Sequence, residues 1–192
     1  MIRGEHVGLR AIEREDLPTL LTWRNDPSLR QYFRESRELS SDHQMRWYEG
    51  TVLGAPDRTR MFAIESVSGG ALLGACGLTT LDWQRRHGEL SLYIGLDRVY
   101  CDSVMAPEAA RLLLGHGFRD LGLHRIWVEV YAHDRPKLAL MKALGLRHEG
   151  TLRDHHFWNG RFWDAHLFAS LAPEWLQPTP PDSGLRSPSA GA

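Results

Sequence analysis

Arginine and aromatic side chains are the groups in this sequence best suited to hold a charged, planar ligand. Trp83, Arg85, Arg86 and His87 fall within one short stretch, and His155, Phe157, Trp158 and Trp163 form a second. Rings beside guanidinium groups can stack on a sugar nucleotide or an aromatic metabolite while the guanidinium pairs with phosphate. The same residues also suit packing a hairpin onto a core, or facing a second copy of the chain. Of the 23 basic residues, all but Lys137 and Lys142 are arginine. Arginine favours phosphate and carboxylate partners, and a GC-rich genome produces the same bias through its codons.

Other chemistries are poorly served. The sequence contains no GxGxxG, GxxxxGK[ST], GxSxG or HExxH string, the arrangements that cradle phosphates, expose a nucleophilic serine or bind zinc. His155 and His156 are adjacent rather than one helical turn apart, the ten histidines are scattered, and no metal site is expected. Cys76 and Cys101 form neither a disulfide framework nor a CxxC pair, so a reducing cytoplasm is the expected compartment. A net charge of −1, from 23 basic and 24 acidic residues, argues against a nucleic-acid or membrane-surface partner. The first residues carry no apolar signal core, and no window reaches the roughly 18 apolar residues of a membrane span.

The elements that must position these groups alternate between helical and strand patterns. At 192 residues the chain suits one domain that buries roughly 70% of its unfolded surface without covalent staples. Val7 to Ala11 reads as a first strand. Leu17, Leu20, Leu21 and Trp23 give a helix over 15–23, stopped at Asn25-Asp-Pro27. A second helix over 41–52 opens on a Ser/Asp cap. Met61 to Val67 and Ala71 to Leu81 pair through Ser68-Gly-Gly70, and Gly88 to Leu96 alternates apolar and polar residues as a third consecutive strand. Pro107 to Leu121 is the clearest helix, with Pro in its first turn. A strand over 126–131, a helix over 136–144 closed by Gly145, and a hairpin about Asn159-Gly160 complete the order. The layout is α/β (α+β) with one mixed, mainly antiparallel sheet. Residues 1–177 form the domain, and the Pro/Ser-rich 178–192 offers little to bury and reads as a disordered tail.

An ordered set of short segments carries a further reading. These are Trp23-Arg-Asn-Asp-Pro27, Gly88-Glu-Leu-Ser-Leu-Tyr-Ile-Gly95, Ala106-Pro-Glu-Ala109 with Arg111-Leu-Leu-Leu114, and Leu121-Gly-Leu-His-Arg-Ile126. Leu144-Gly-Leu-Arg-His-Glu-Gly-Thr-Leu-Arg-Asp154, Asn159-Gly-Arg-Phe-Trp-Asp164 and Glu174-Trp175 follow. In this order and spacing the chain resembles the GNAT superfamily of acyl-CoA-dependent N-acyltransferases, in the branch of ribosomal-protein and amino-sugar N-acetyltransferases. The resemblance runs from about Gly4 to Trp175. It implies the GNAT fold, with acetyl-CoA as co-substrate lying between two splayed strands that end near Ile94 and Tyr131. It further implies pantetheine pairing with the backbone of Tyr93 and Ile94, pyrophosphate on the N–H groups of Ser103, Val104, Met105 and Ala106, and a CoA contact at Asp134, where the family often has Asn. A helix N-terminus with free N–H groups is a physically sound anion site.

The chain departs from the family pattern at that loop. Cys101, Val104 and Ala106 stand where the family has Arg or Gln, Gly, and Gly or Ala, and Cys101-Asp-Ser-Val-Met105 contains no glycine. Asp102 adds a negative charge beside the implied pyrophosphate, which is unfavourable. The loop is therefore a degenerate but usable donor site, a site for another donor, or a lost one. Amine acylation also needs a base: Glu89 is the first candidate by the resemblance, with Glu129 and His133 as alternatives. Met141 stands where the family often has a tyrosine acid, and a thioether cannot donate a proton. The acceptor cleft is expected to be bordered by Trp83, Arg85, His87, His155 and Trp158, and the protruding hairpin suggests a homodimer. The implied activity is acetyl transfer to a primary amine of a small molecule, an amino sugar or a peptide N-terminus. The alternatives are a non-catalytic GNAT-like binding protein and a GNAT-fold enzyme with altered donor or chemistry.

Overall fold

The computed structural model describes residues 1–176. The expected domain end at residue 177 and the tail over 178–192 lie outside the described residues. Among the described residues, eight strands form one sheet: β1 (Ile2–Arg3), β2 (Val7–Arg10), β3 (Arg60–Ser66), β4 (Leu72–Asp82), β5 (His87–Ile94), β6 (Arg125–Tyr131), β7 (Arg147–Trp158) and β8 (Arg161–Leu171). Their spatial order is β1-β2-β3-β4-β5-β6-β8-β7. The helices are α1 (Leu17–Asn25), α2 (Pro27–Arg30), α3 (Ser41–Trp47), α4 (Met105–Gly115), α5 (Arg135–Ala143) and α6 (Ala172–Leu176).

Short connections make β3–β4, β4–β5 and β7–β8 antiparallel, β6 pairs antiparallel with β8, and the long α4 crossover makes β5 and β6 parallel. That parallel pair holds at only three positions, His87–Arg125, Gly88–Ile126 and Glu89–Trp127. Beyond them β5 runs on to Ile94 and β6 to Tyr131 without pairing, so the two strands splay. The Asn159-Gly160 turn has both residues in the left-handed region, φ 50° and 76°, as a two-residue hairpin turn between right-twisted strands requires.

Strand alternation assigns the two faces. Leu90, Leu92 and Ile94 of β5 join Ile126, Val128 and Val130 of β6 in an aliphatic core. Against it α4 lays Ala106, Ala109, Ala110, Leu113 and Leu114, all fully buried at the spacing of one helical face. Tyr93 faces the opposite way, into a second cluster with Leu17, Leu20, Leu29 and Tyr48 from the α1–α3 side.

Three local departures have physical causes. A helix starting at Asp26-Pro27 was not expected, but Pro sets the first-turn φ and the Asp26 side chain accepts from the Ser28 amide at 2.9 Å. The helix expected over 41–52 ends its regular turn at Trp47 and continues as a wider π turn, Tyr48–Leu53. The third helix begins two residues before Pro107, at Met105. Proline lacks only an N–H that a first turn leaves unpaired anyway, so it does not mark the first residue.

Candidate active site

A cavity of about 290 Å³ opens where β5 and β6 part. Its strand wall carries Glu89, Ser91 and Tyr93 from β5 and Glu129 and Tyr131 from β6, while Arg24, Phe33, Arg34, Gln44 and Trp47 close it from the α1–α3 side. The sheet therefore brings two of the three expected base candidates, Glu89 and Glu129, onto one cavity wall. Register explains it: Glu89 faces Trp127 in the last paired position, and Glu129 is the next residue of β6 on the same face.

The two carboxylates differ in what holds them. Glu89 is 4% exposed and is clasped by both terminal nitrogens of Arg34, one at 3.1 Å from Glu89 Oε2 and the other closer still to Oε1. Burial, the largest single influence, pulls the Arg34 guanidinium down, but the hydrogen bonds to Glu89 together with the charges of Glu89 and Glu129 hold it above the usual arginine value. The carboxylate of Glu129 is also mostly buried, and an imidazole nitrogen, His155 Nε2, lies 3.7 Å from its Oε1. At that separation no hydrogen bond is made, so Glu129 keeps its acceptor capacity. His133, the third candidate, does not reach the cavity wall. Its ring lies in an aromatic column with Tyr32, Tyr131, His156 and Trp158, and its Nε2 is 3.2 Å from the Gln31 carbonyl. Burial lowers the pKa of His156 in the same column, which favours a neutral imidazole stacked 3.8 Å from Tyr131.

None of the expected acceptor residues lines this cavity. Trp83 Nε1 donates to the Asp57 carbonyl at 2.6 Å, and Arg85 pairs with Asp82 at 2.6 Å, so both hold the β4–β5 turn. His87 lines a shallow depression with Arg125, Trp127 and Glu129. Trp158 belongs to the aromatic column, and His155 reaches Glu129 from the β7–β8 hairpin. The acceptor-side residues the sequence reading missed are Arg24, Arg34, Gln44 and Trp47. Gln44 and Trp47 sit on a helix whose apolar stripe, Met45, Tyr48 and Val52, omits both of them, and Arg34 lies in a segment with no periodic pattern.

The donor end of the splay is arranged differently. In an antiparallel pair successive residues address opposite edges, and Gly95 N–H already donates to Leu73 of β4 at 2.8 Å. The backbone edge that faces the splay is therefore that of Ile94, not Tyr93. Both of Ile94's groups are taken: its N–H donates to the Tyr100 carbonyl at 2.7 Å and its carbonyl accepts the Tyr100 N–H at 2.9 Å. Tyr100 then reaches across, its hydroxyl donating to Asp134 Oδ2 at 2.6 Å. Asp134 is 2% exposed and its Oδ1 caps α5 by accepting the Lys137 N–H at 2.9 Å. Burial raises the carboxyl pKa of Asp134, and burial beside that carboxylate raises Tyr100 well above its ordinary value. The thiol of Cys101, largely buried beside Tyr100, is pushed up to about 12.

At α4 the implied pyrophosphate site is filled from within. Asp102 accepts from the N–H of Met105 at 3.0 Å and of Ala106 at 2.7 Å. Pro107 has no N–H to offer, and that of Glu108 turns back to the Val104 carbonyl at 3.2 Å. Of the four amides expected to receive phosphate oxygens, Ser103 to Ala106, the two on the helix itself are engaged. As folded, the chain itself thus takes both the backbone edge at Ile94 and the two helix amides that acetyl-CoA would use.

Comparison with known proteins agrees with this architecture. A family model described as an acetyltransferase (GNAT) domain matches residues 6–147. An uncharacterized N-acetyltransferase p20 of Bacillus licheniformis is 27% identical over 89% of this chain and 96% of its own length. Spermidine N(1)-acetyltransferase of Escherichia coli is 26% identical over 86% of each chain. The fold also superimposes on spermidine N-acetyltransferase from Vibrio cholerae, solved with CoA and spermine, with a TM-score of 0.81 at 24% identity, covering 89% of this chain and 98% of that one.

Proposed function

Because the chain belongs to the GNAT acetyltransferase family, we propose that it moves an acetyl group from acetyl-CoA, the donor that family uses, to a primary amine of a small molecule held in the cavity between Glu129 and Arg34. The observation that carries this reading is the splay itself: two strands that pair at three positions and then part, with carboxylates on the wall. Acetyl-CoA supplies the activated acyl group. The chain's own residues orient the amine and remove its proton.

In this mechanism Glu129 is the base. An acceptor amine is largely protonated near neutral pH, and attack requires that proton to leave. Glu129 Oε2 or Oε1 accepts it, directly or through one water, because neither oxygen is tied by a hydrogen bond among the described residues. Glu89 serves instead to fix Arg34, and the ion pair shapes the side of the cavity nearest β5. Tyr131 completes the wall beside Glu129.

The charged lining of the cavity is close to balanced: Glu35, Glu89, Glu129 and Asp134 stand against Arg24, Arg34 and Lys137. Glu89 is paired with Arg34 and Glu35 with Arg37. Glu129 is the carboxylate left to meet an acceptor amine.

The experiment is a panel of amino sugars, amino acids, polyamines and short peptides with acetyl-CoA, scored by thiol release. Turnover with an amine of the panel, lost in Glu129→Gln, supports the proposal. The Asp102 cap favours a second reading, a GNAT-fold binding protein without turnover, and thiol release that stays at background across the panel selects it.

A further inference from the structure

The segment between β5 and α4 makes the contacts a donor would otherwise make. Along its path the chain holds three non-glycine residues in the left-handed region: Asp97 at φ 52°, Arg98 at 59° and Tyr100 at 62°. Side chains with a Cβ adopt that region reluctantly, and such residues persist where surrounding contacts over-determine them. Four contacts do so here. Arg98 Nε donates to Asp26 at 2.7 Å, the Tyr100 backbone pairs with Ile94, the Tyr100 ring stacks on Tyr32 with centroids 4.2 Å apart, and the Tyr100 hydroxyl is bonded to Asp134. Asp102 then caps α4.

Two of these contacts are chemical substitutes. The Tyr100 peptide stands on the edge of β5 where an amide of an extended ligand would pair, and the Asp102 carboxylate stands where a phosphate oxygen would meet α4. Tyr100 also spans the open end of the splay, from Ile94 at the end of β5 to Asp134 just past β6.

We propose that residues 97–102 form an internal strap that occupies the donor site through Tyr100 and Asp102 and must swing out before acyl-CoA binds. This rests on the acyl-CoA-dependent reading above. Binding then exchanges internal hydrogen bonds for external ones, and the left-handed residues are relieved as the strap leaves. A donor meets a population that is mostly closed, so its apparent affinity falls by the open fraction. The site is gated rather than lost, and the missing glycine has a reason: a loop that closes on its own helix needs no room for a phosphate while closed.

The test uses the full chain with acetyl-CoA as the probe, followed by calorimetry and by hydrogen exchange read on the 95–106 segment. In the free protein the amides of Ile94, Tyr100, Met105 and Ala106 are expected to be protected. Saturating acetyl-CoA should speed exchange at Tyr100 while Ile94 and Ala106 stay slow. Asp102→Ala should tighten acetyl-CoA binding about tenfold, as release of a mostly closed state predicts. Asp102→Asn, which keeps an acceptor oxygen but drops the charge, should give a smaller gain. A wild type that binds acetyl-CoA as tightly as both variants overturns the strap alone, as does slower exchange at Tyr100 on binding. Failure of wild type and both variants to bind at millimolar acetyl-CoA overturns the acyltransferase reading and the strap with it. Binding by Asp102→Ala where wild type shows none supports both.

Discussion

The two ends of the cleft handle charge in opposite ways. At the acceptor end, Glu89 and Arg34 are bonded to each other, yet they face an open cavity beside Glu129, whose oxygens are free. At the donor end, the corresponding groups are bonded to the chain itself: Ile94 to Tyr100, Met105 and Ala106 to Asp102, Asp134 to Tyr100. A paired wall around a void is preorganised, because a ligand enters without breaking internal bonds. A self-saturated loop is the reverse, since every ligand contact replaces an internal one. The difference teaches that a ligand site in this fold can be shaped and yet closed, and that the state of its backbone groups decides which.

The sharpest way to break this contrast is at Glu129. Glu129→Gln keeps the shape of the wall and removes the proton acceptor, so kcat should fall by about 10²–10⁴, the usual worth of a positioned base, with KM for the amine little changed. Steady-state kinetics over a range of pH checks it, and full activity would return the role to Glu89 or to water. The next effect is mechanical. Gly95 sits where the strap leaves β5, and a Cβ there would lie 2.0 Å from Trp23 Cδ2. Gly95→Ala should therefore cost about 1–3 kcal/mol in urea unfolding, the range for overpacking a close contact. Because Trp23 belongs to the acceptor side, it should disturb both ends of the cleft, and a cost near zero would mean that they are mechanically independent.

Arg34→Ala tests the paired wall. Glu89 loses its charged partner, but Arg34 is about half exposed and water can replace it, so the stability loss should be about 1–2 kcal/mol, near that of one charged hydrogen bond. KM for the acceptor should rise while kcat moves less than in Glu129→Gln. A kcat loss as large as that of Glu129→Gln would instead put Arg34 or Glu89 in the chemistry. The smallest effect concerns Asp134. Its folded-state pKa is raised by burial, so the folded protein holds that proton more tightly than the unfolded chain. Stability from this group is full below the unfolded value, about 4 for an aspartate, and is lost as pH rises through the folded value. Asp134→Asn cannot ionise but keeps an acceptor for the Lys137 amide. Relative to wild type it should gain stability, under about 1 kcal/mol, as pH rises from about 4 to 7. Melting temperatures at the two pH values check it, and a constant difference removes Asp134 from the linkage.

Much of this architecture was legible because it follows from local rules. The alternation of Leu90, Leu92 and Ile94 with Glu89, Ser91 and Tyr93 assigns the two faces of β5, and of the helical positions Ala109, Leu112, Leu113 and Phe118 all but Leu112 are buried. Asn159-Gly160 specifies its own turn. The acceptor residues were less legible. Trp83 and Arg85 looked like ligand contacts because of their type, but Arg85 pairs with Asp82 in its own turn and Trp83 donates to the Asp57 carbonyl of the segment before β3. Arg34 carried no signal, because it acts through a carboxylate 55 residues away.

Asp102 marks where the two kinds of information divide. By itself the sequence determined that the loop before α4 lacks glycine and carries a negative charge beside the expected phosphate site, and it determined the strands, helices and family that make such a site expected. Only the tertiary structure decided what that charge does. A carboxylate is repelled by a phosphate and attracted by free amides, and which interaction operates depends on where the backbone takes it. Here three left-handed residues and the Tyr100 bridge to Asp134 turn the loop inward, and the carboxylate becomes the cap of the helix.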